Sequence, residues 1–392
     1  MTGSDLDSAR TLRPAGLAEV REAVLDTAGP MLFRGAGTKL DWGRAAADVD
    51  VIVDSGAMDQ VLTYTPADAT VSVQAGIPLA ALQEALSEHD QWLAVDPPGL
   101  DAGITVGGVF AADDAGPRRL GYGSIRDLVI GATYVLSDGT IGRTGGFVIK
   151  NVAGYDMAKL LCGSLGTLAF AAELVLRVHP RPSASVTLRI PADAAAAERM
   201  STLLAAAPIE PVAVEWAERS LWVRLTGHPD AIADQAQRLP GVVGAGEVET
   251  LADDAQDAAW HRLGTALAGA DGETVVRAAC LPGQLPVAVE DLARVADGSG
   301  VTADVSAHAM LGVMTARLSG GDPAAYAACV AGWRDRLRPL GGHAVVRRHD
   351  PDVDRVIDVW GPAPSAIGLM RQVKRQLDPD NRCAPGRFVG GI

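Results

Sequence analysis

Apolar and polar residues follow different rhythms in the two halves of the chain. In the first half, short apolar runs at 31–33, 49–54 and 61–76 predict strands that lead into glycine-rich loops. Helical spacing over 17–25 and 77–87 predicts helices between these strands. The first half is therefore predicted to mix short strands, short helices and glycine-rich loops.

Beyond Pro182 the glycine-rich loops stop, and one order of elements occurs twice: strand, helix, strand, strand, helix, strand. The predicted elements are 186–190, 192–206, 212–216, 221–226, 229–239 and a weak strand near Val242, then 275–281, 285–296, 301–307, 312–318, 323–337 and 344–348. A helix over 253–268 joins the two copies. Each copy has the ferredoxin-like βαββαβ order, so we predict one broad antiparallel sheet with helices on one face. The fold class is α+β.

These changes of pattern divide the chain into three parts. Residues 1–182 are predicted to form a first domain, with subdomains of about 1–55 and 56–182, and residues 183–350 a second domain. Residues 351–392 form a C-terminal segment with a basic amphipathic helix, followed by LDPDNRCAPGRF.

Composition excludes several classes of protein. The 392 residues carry a net charge of −14 spread along the chain, which disfavours nucleic acid or an anionic membrane as partner. The N-terminus has no signal-peptide pattern, and no apolar run approaches the ~20 residues of a membrane helix. The four cysteines are far apart without a C-x-x-C motif, so they are predicted to be reduced thiols rather than ligands of a cluster or zinc.

The loop Arg34-Gly35-Ala36-Gly37-Thr38-Lys39 is a candidate phosphate cradle. Two glycines, a small residue and a hydroxyl stand between two cations directly after a predicted strand. A glycine-rich hairpin turn remains the alternative, since the loop is neither a Walker A motif nor a G-x-G-x-x-G fingerprint. Only four of the 34 basic residues are lysines, and Lys39, Lys150 and Lys159 all lie in or beside glycine-rich stretches.

A second glycine-rich stretch, GGFVIKNVAGYDMAKLLCGSLGTL over 145–168, places polar side chains between apolar ones. With AGPRRLGYGSIRDLVIGATYVLSDGTI and the closing DPDNRCAPGRF, it resembles the FAD-binding E-type subunits of bacterial glycolate oxidases. These belong to the vanillyl-alcohol oxidase superfamily, which has a PCMH-type FAD domain. The resemblance covers the first half closely and the second half loosely. It implies a two-subdomain PCMH-type FAD domain over 1–182, a cap domain over 183–350 and a C-terminal segment that returns to the FAD domain.

The resemblance also implies which residues contact FAD. They come from the Arg34 loop, the segments around Pro97 and Thr105, the region 116–123 and the loops on either side of Met157. The predicted cofactor-binding residues are Arg34, Gly35, Ala36, Gly37, Thr38, Lys39, Pro97, Pro98, Thr105, Val106, Gly107, Gly108, Gly116, Tyr122, Gly123, Lys150, Gly154, Tyr155, Gly163, Gly166, Thr167, Leu168 and Ala169.

The chain departs from catalytic relatives that carry an H-x-H metal motif in the cap. Its comparable stretch has His308 alone, so we predict no metal site. The 31–43 loop also lacks the histidine that bonds the flavin in covalently flavinylated relatives, so FAD is predicted to be non-covalent. We assign no catalytic residue.

Two functions follow from the resemblance. The first is an FAD-binding subunit of a glycolate oxidase complex, oxidising glycolate to glyoxylate with a larger FAD-linked subunit and an iron–sulfur subunit as partners. The alternative is a free-standing FAD-dependent 2-hydroxy-acid dehydrogenase, with Arg317, Arg347 and His349 as candidates for the substrate cation and base. A scaffold with a vestigial pocket is disfavoured because the glycine loops are intact. We expect a cytoplasmic chain that meets the inner face of the membrane only through its partners.

Overall fold

The computed structural model describes residues 8–148 and 154–392. The chain divides into two compact units. Unit 1 contains the described residues through Ala115, Gly123–Arg181 and Pro362–Ile392, and unit 2 contains Gly116–Tyr122 and Pro182–Gly361.

This division differs from the predicted domains in two places. Residues 116–122 interrupt the first predicted domain and cluster with unit 2, where Gly121 N–H donates to Val212 O at 3.2 Å. Residues 351–361, predicted to belong to the C-terminal segment, also cluster with unit 2. Hydrogen bonds to residues far away in sequence set both boundaries, and local pattern does not report them.

Strands and helices alternate along most of the chain. The strands are β1 Arg10–Leu12, β2 Met31–Arg34, β3 Val51–Asp54, β4 Val61–Thr65, β5 Thr70–Gln74, β6 Gln91–Trp92, β7 Val129–Val135, β8 Ile141–Gly145, β9 Phe170–Arg177, β10 His179–Pro180, β11 Ala184–Pro191, β12 Ala213–Ala217, β13 Ser220–Gly227, β14 Glu249–Ala252, β15 Thr274–Ala279, β16 Thr302–His308, β17 Val313–Ser319 and β18 His343–Arg348. The helices are α1 Leu17–Leu25, α2 Leu79–Ser87, α3 Val106–Ala112, α4 Arg119–Tyr122, α5 Ile125–Leu128, α6 Met157–Leu161, α7 Ala194–Ala205, α8 Pro229–Val243, α9 Asp253–Ala268, α10 Leu285–Ser299, α11 Pro323–Leu337, α12 Pro351–Val356 and α13 Ile367–Leu377. Within the described residues, no helix combines the length and apolarity needed to cross a membrane.

Two sheets form the framework of unit 1. The smaller has three parallel strands in the order β1-β3-β2, and the larger has five antiparallel strands in the order β4-β5-β9-β7-β8. The stretch 61–76, predicted as strand, forms two strands because the chain turns at Pro66–Asp68 and Ala69 adopts a left-handed φ of +50°. Strands of both sheets adjoin glycine-rich loops.

The central strand β9 shows how sequence pattern sets the larger sheet. Its residues alternate between buried and half-buried from Phe170 to Arg177, as expected of a strand with one covered face. Leu174 and Leu176 on the covered face join a core that includes Leu82 of α2. The alternation of apolar residues along this strand therefore matches its burial pattern.

Unit 2 is built on one eight-stranded antiparallel sheet with the order β14-β11-β13-β12-β16-β17-β15-β18. Each half is a ferredoxin-like βαββαβ unit, and the halves meet edge to edge where β12 pairs with β16. Periodicity was sufficient to predict both copies, and the joining helix lies at Asp253–Ala268. The predicted cap sheet is confirmed.

Two details of unit 2 differ from the prediction. Val242 lies in α8, and the fourth strand is Glu249–Ala252, which is short and polar. The joining helix α9 contacts the sheet face opposite the apolar core. Leu188 belongs to that core, whereas its neighbour Thr187 points the other way and hydrogen-bonds to Gln256 at 2.7 Å. Helices therefore lie on both faces of the sheet.

The C-terminal helix α13 attaches to unit 1 through a buried ion pair. Lys374 Nζ donates to Asp378 Oδ2 at 2.7 Å, and the two side chains are 6% and 0% exposed. Burial alone would raise the pKa of Asp378, but hydrogen bonds from Lys374 and from the backbone N–H groups of Cys383 and Arg382 hold it below its usual value. The carboxylate is therefore a charged anchor for the segment that follows the helix.

We expect Asp378→Asn to lower the free energy of unfolding of unit 1 by about 3 kcal/mol at pH 7, because it leaves the Lys374 ammonium buried without a counter-charge. A carboxyl with a depressed pKa contributes stability that is present above its unfolded value of about 3.9 and lost as pH falls through the folded one. Wild-type stability should therefore decrease below about pH 4, and more steeply than that of the variant. Urea denaturation from pH 2.5 to 7 measures both effects.

The matched control is Asp380→Asn, an exposed carboxylate two residues along the same turn. It should change the free energy of unfolding by no more than about 0.5 kcal/mol. Equal losses in the two variants would contradict the assignment of Asp378 as anchor.

Candidate functional site

A cleft in unit 1 lies where three glycine-rich segments approach one another. The segments are the end of β2, the start of α3 and the loop between α6 and β9. The lining residues are Phe33, Arg34, Gly35, Ser55, Ala75, Gly107, Gly108, Phe110, Ala111, Leu161, Ser164, Leu165, Gly166, Ala169, Phe170 and Ala171. Most of these residues are small or apolar, so the walls expose backbone groups and apolar surface rather than charged side chains.

The loop that follows β2 presents its backbone donors. Gly37 has φ +79°, a conformation that disfavours any residue with a Cβ atom. The backbone N–H groups of residues 35–38 have no hydrogen-bond partner among the described residues. Four consecutive unpaired donors form a concave site suited to phosphate oxygens.

The two cations that flank this loop are paired with carboxylates. Arg34 Nη2 donates to Asp54 Oδ2 at 2.7 Å, and Lys39 Nζ donates to Asp114 Oδ2 at 2.7 Å. The side chains of Lys39 and Asp114 are only 10% and 2% exposed. The attraction of the loop for an anion therefore comes chiefly from its backbone N–H groups, while the ion pairs hold the loop in place.

Thr105 positions the second wall of the cleft. Its hydroxyl accepts a hydrogen bond from Gly108 N–H at 3.1 Å and so caps α3. A Cβ on Gly35 would lie 2.2 Å from this hydroxyl, and a Cβ on Gly107 would lie 2.7 Å from Ala75 O. Glycine at 35 and 107 is thus required for the loop, the helix and the strand end to approach closely.

The loop between α6 and β9 forms the third wall and is strained. Leu165 and Gly166 have φ of +53° and +76°, and Leu165 N–H donates to Ala111 O at 2.8 Å. A branched residue in the left-handed region is uncommon and persists only where its surroundings impose it. Gly163, Thr167 and Leu168 of this loop line a second cavity of about 350 Å³ beside α13.

The structure brings part of the predicted cofactor set together. The predicted residues that line the cleft are Arg34, Gly35, Gly107, Gly108, Gly166 and Ala169. Those that lie on the same loops and shape them are Ala36, Gly37, Thr38, Lys39, Thr105 and Val106. The clustering of these segments is a property of the fold, since they come from strands of two different sheets.

Other predicted residues lie elsewhere. Gly116 and Tyr122 belong to unit 2, where the Tyr122 hydroxyl pairs with Thr226 Oγ1 at 3.3 Å. Tyr155 is 92% exposed and is not among the residues that line the cleft, so its contact with FAD stays a prediction. Lys150 lies outside the described residues.

Four more predicted residues do not line the cleft: Pro97, Pro98, Gly123 and Gly154. Gly123, at φ +78°, precedes the capping box of α5, in which Ser124 and Asp127 cap each other. Its role is therefore to turn the chain. A Cβ on Gly154 would meet nothing within 4 Å, so no close approach explains that glycine.

Sequence reasoning missed several lining residues. Ser55 Oγ donates to Arg34 O at 3.3 Å, and Ala75 O accepts from Gly107 N–H at 2.7 Å. Phe110 and Leu165 complete the apolar wall. None of these residues carries a local motif. The apolar spacing of α3 was the one available signal, and it reports burial rather than function.

Cys162, the cysteine nearest the glycine-rich loops, is a poor nucleophile. Burial and the nearby Asp113 carboxylate raise the pKa of its thiol well above the usual value. The thiol therefore stays protonated at neutral pH. All four cysteines are free thiols, and Cys162, Cys329 and Cys383 are buried.

Unit 2 contains a buried polar cluster that sequence reasoning also missed. His308 Nδ1 lies 2.7 Å from Glu215 Oε2, and His308 Nε2 lies 3.3 Å from Arg277 Nη2. A carboxylate only accepts and a guanidinium only donates, so these partners select neutral His308 with its proton on Nδ1. Glu215 is 1% exposed and His308 6%. This cluster thus contains a cation, Arg277, and an imidazole nitrogen that can accept a proton, His308 Nε2.

The residues considered for the alternative function have other partners. Arg317 donates to Asp304 at 2.6 Å, and the ring Nδ1 of buried His349 lies 2.8 Å from Asp350 O. Arg347 lies on strand β18. Within the described residues, no three His, Cys, Asp or Glu side chains are grouped so as to hold a metal ion.

Comparison with known proteins supports FAD as the cofactor. Residues 9–145 match the FAD binding domain family. The chain is 34% identical over 236 residues to the glycolate oxidase subunit GlcE of Escherichia coli, covering 59% of this chain and 65% of that subunit. It is 33% identical over 192 residues to the glycolate oxidase subunit GlcD of Bacillus subtilis, covering 48% of this chain and 40% of the relative. The alignments thus span less than two thirds of the length of these two relatives.

Two longer matches are more distant. A D-lactate dehydrogenase of Archaeoglobus fulgidus is 27% identical over 420 residues, covering 96% of this chain and 90% of the relative. The solved structure of an alkyldihydroxyacetonephosphate synthase superposes with a TM-score of 0.69 at 17% identity, covering 96% of this chain and 75% of that one. At this identity the superposition shows a shared fold.

The cleft fits the phosphate-containing part of FAD. Its unpaired N–H groups at 35–38 suit the pyrophosphate, and its apolar walls suit a flat ring. The cleft residues and the FAD binding domain match therefore agree on the cofactor. The match ends at residue 145, before the loop that contains Leu165 and Gly166.

We expect Gly37→Val to abolish FAD binding with little loss of apo-protein stability. The side chain has room, since a Cβ would lie 3.7 Å from its nearest neighbours, but the φ of +79° disfavours a branched residue. The loop would leave its conformation and its N–H groups would diverge. FAD at 100 Kd stabilises the wild type by about 2.7 kcal/mol through linkage, so the thermal shift caused by FAD should disappear in the variant.

Gly341→Val is the matched control. Gly341 has φ +68° and no atom within 4 Å of a Cβ, but it lies in unit 2. This variant should incur similar backbone strain and keep the thermal shift. A normal FAD-dependent shift in Gly37→Val would show that the loop is only a turn.

FAD should be released intact when the protein is denatured with heat or acid. The 31–43 loop has no histidine, and the Cys162 thiol stays protonated. Precipitation followed by chromatography of the supernatant measures the free flavin. Flavin that remains with the precipitated polypeptide would contradict the prediction, and peptide mapping would begin at Cys162.

Proposed function

On the premise that residues 9–145 are an FAD-binding domain, we propose that this chain is the FAD-binding subunit of a glycolate oxidase complex. The complex would oxidise glycolate to glyoxylate and pass the electrons from flavin to partner subunits. The glycolate oxidase subunits among its relatives support this proposal. We propose a larger FAD-linked subunit and an iron–sulfur subunit as partners, and a cytoplasmic location.

The observation that carries the proposal is a formed FAD cleft in a chain with no cysteine cluster. The four cysteines are free thiols spread from Cys162 to Cys383, and a cluster would need several thiolates at close spacing. The lack of such a cluster fits a route in which electrons from a bound flavin leave through another polypeptide. Such a route would need a subunit of a larger assembly.

The residues of this chain supply binding and alignment. A bound flavin would supply the acceptor for a hydride from the α-carbon of the substrate. The N–H groups of 35–38 would hold the pyrophosphate, and the glycines at 107 and 108 would let the cofactor approach the start of α3. The Arg34–Asp54 and Lys39–Asp114 pairs keep the loop fixed without adding free charge.

A specific observation favours the alternative of a free-standing 2-hydroxy-acid dehydrogenase. A small hydroxy acid needs a cation for its carboxylate and an acceptor for its hydroxyl proton. Arg277 and His308 supply both chemical types, and Glu215 orients the imidazole through Nδ1. The long alignment with a D-lactate dehydrogenase is consistent with this alternative.

The experiment that decides is anaerobic reduction of the isolated, FAD-loaded chain by glycolate. We expect reduction to be slow or absent, with turnover of an artificial acceptor restored by co-expression with the larger flavoprotein and the iron–sulfur subunit. Rapid, complete bleaching of the lone chain would contradict the subunit proposal.

In that case His308→Gln and Arg277→Gln should each abolish the bleaching. Arg317→Gln, which removes a half-buried arginine paired with Asp304, should not.

A further inference from the structure

We infer that the segment 374–387 positions two of the three walls of the FAD cleft, with Lys374 and Arg387 as the positioning residues. The segment lies outside the region that matches the FAD binding domain family. Neither side chain lines the cleft. Each side chain instead hydrogen-bonds to the backbone of a loop that contributes to the cleft.

Lys374 fixes the loop between α6 and β9. Its ammonium donates to Thr167 O at 2.7 Å, Cys383 O at 2.8 Å and Asp378 Oδ2 at 2.7 Å. These three acceptors use all three donors of the group, and Lys374 is 5% exposed. Thr167 adjoins Gly166, which lines the cleft. The ammonium therefore fixes the loop from the side opposite the cofactor.

Arg387 fixes the loop that follows β2. Its Nη2 donates to Lys39 O at 2.6 Å and to Trp42 O at 3.3 Å, and its own carbonyl accepts from Arg44 N–H at 3.1 Å. The residue is 4% exposed, and burial lowers the pKa of its guanidinium to about 10. It remains a cation at neutral pH. Its carbonyl acceptors lie directly after the four N–H groups that suit the pyrophosphate.

One short segment thus controls the spacing of two walls that belong to different sheets. The strained Leu165 conformation needs such support, because it would not persist in a loop free to relax. A loop already held in its binding conformation loses less entropy when ligand binds. Loss of either cation should therefore weaken FAD binding beyond any effect on global stability.

The chain supplies its own control in Arg382. This residue lies in the same segment and donates to carbonyls of Val24, Thr27 and Ser137. None of these acceptors lines the cleft. Arg382→Met therefore removes a comparable anchor of the segment without releasing a cleft loop directly.

The experiment compares full-length Lys374→Met, Arg387→Gln and Arg382→Met with the wild type. Apo-protein is titrated with FAD by calorimetry, and the visible circular dichroism of bound flavin is recorded at saturation. We expect the Kd for FAD to rise at least tenfold for Lys374→Met and Arg387→Gln, with an altered dichroism band. Arg382→Met should lower the melting temperature of the apo-protein while its Kd stays within about twofold of wild type.

Two outcomes would overturn the inference. One is an unchanged Kd and dichroism band in Lys374→Met and Arg387→Gln. The other is a rise in Kd for Arg382→Met as large as in those variants, since the effect would then be general loosening. If Lys374→Met does not fold, Arg387→Gln decides alone, because it leaves the buried pair of Lys374 and Asp378 in place.

Discussion

The buried ammonium of Lys374 connects parts of unit 1 that are 207 residues apart in sequence. It binds two carbonyl oxygens and one carboxylate in a region where water is excluded, so each partner left alone would be an uncompensated polar group. This makes the contact all-or-none: the helix α13, the turn at Asp378 and the loop at Thr167 are held together. A guanidinium could not replace it without displacing one of the acceptors, because its donors are spread over a planar fork.

The same physical constraint explains the other cations of unit 1. Arg34 and Lys39 are each neutralised by a carboxylate, and Arg382 and Arg387 are bound to backbone carbonyls. Burying a charge near a ligand cleft is tolerable only when the charge is satisfied by the protein itself. The walls of the cleft are consequently mostly neutral, and the cation in its lining, Arg34, is paired with Asp54.

Periodicity predicted the larger fold well because it reports which face of an element is buried. The repeat in unit 2 and the alternating strand β9 both follow from such patterns. The glycine loops could be located for a related reason, since glycine is concentrated where backbones must approach. Gly35 and Gly107 are clear cases, with Cβ positions 2.2 Å and 2.7 Å from other atoms. Polar residues between apolar ones, such as Tyr155, do not by themselves specify which side chains point inward.

What sequence reasoning could not supply was the pairing of distant residues. Arg34 and Lys39 looked like free phosphate ligands because Asp54 and Asp114 lie 20 and 75 residues away. His308 looked solitary because Glu215 lies 93 residues away, although the two face each other across paired strands. In each case a cation or an imidazole was visible, but its partner was not. A residue type therefore indicates which chemistry is possible at a site. The partner brought by the fold decides whether that chemistry is available to a ligand or is used within the protein.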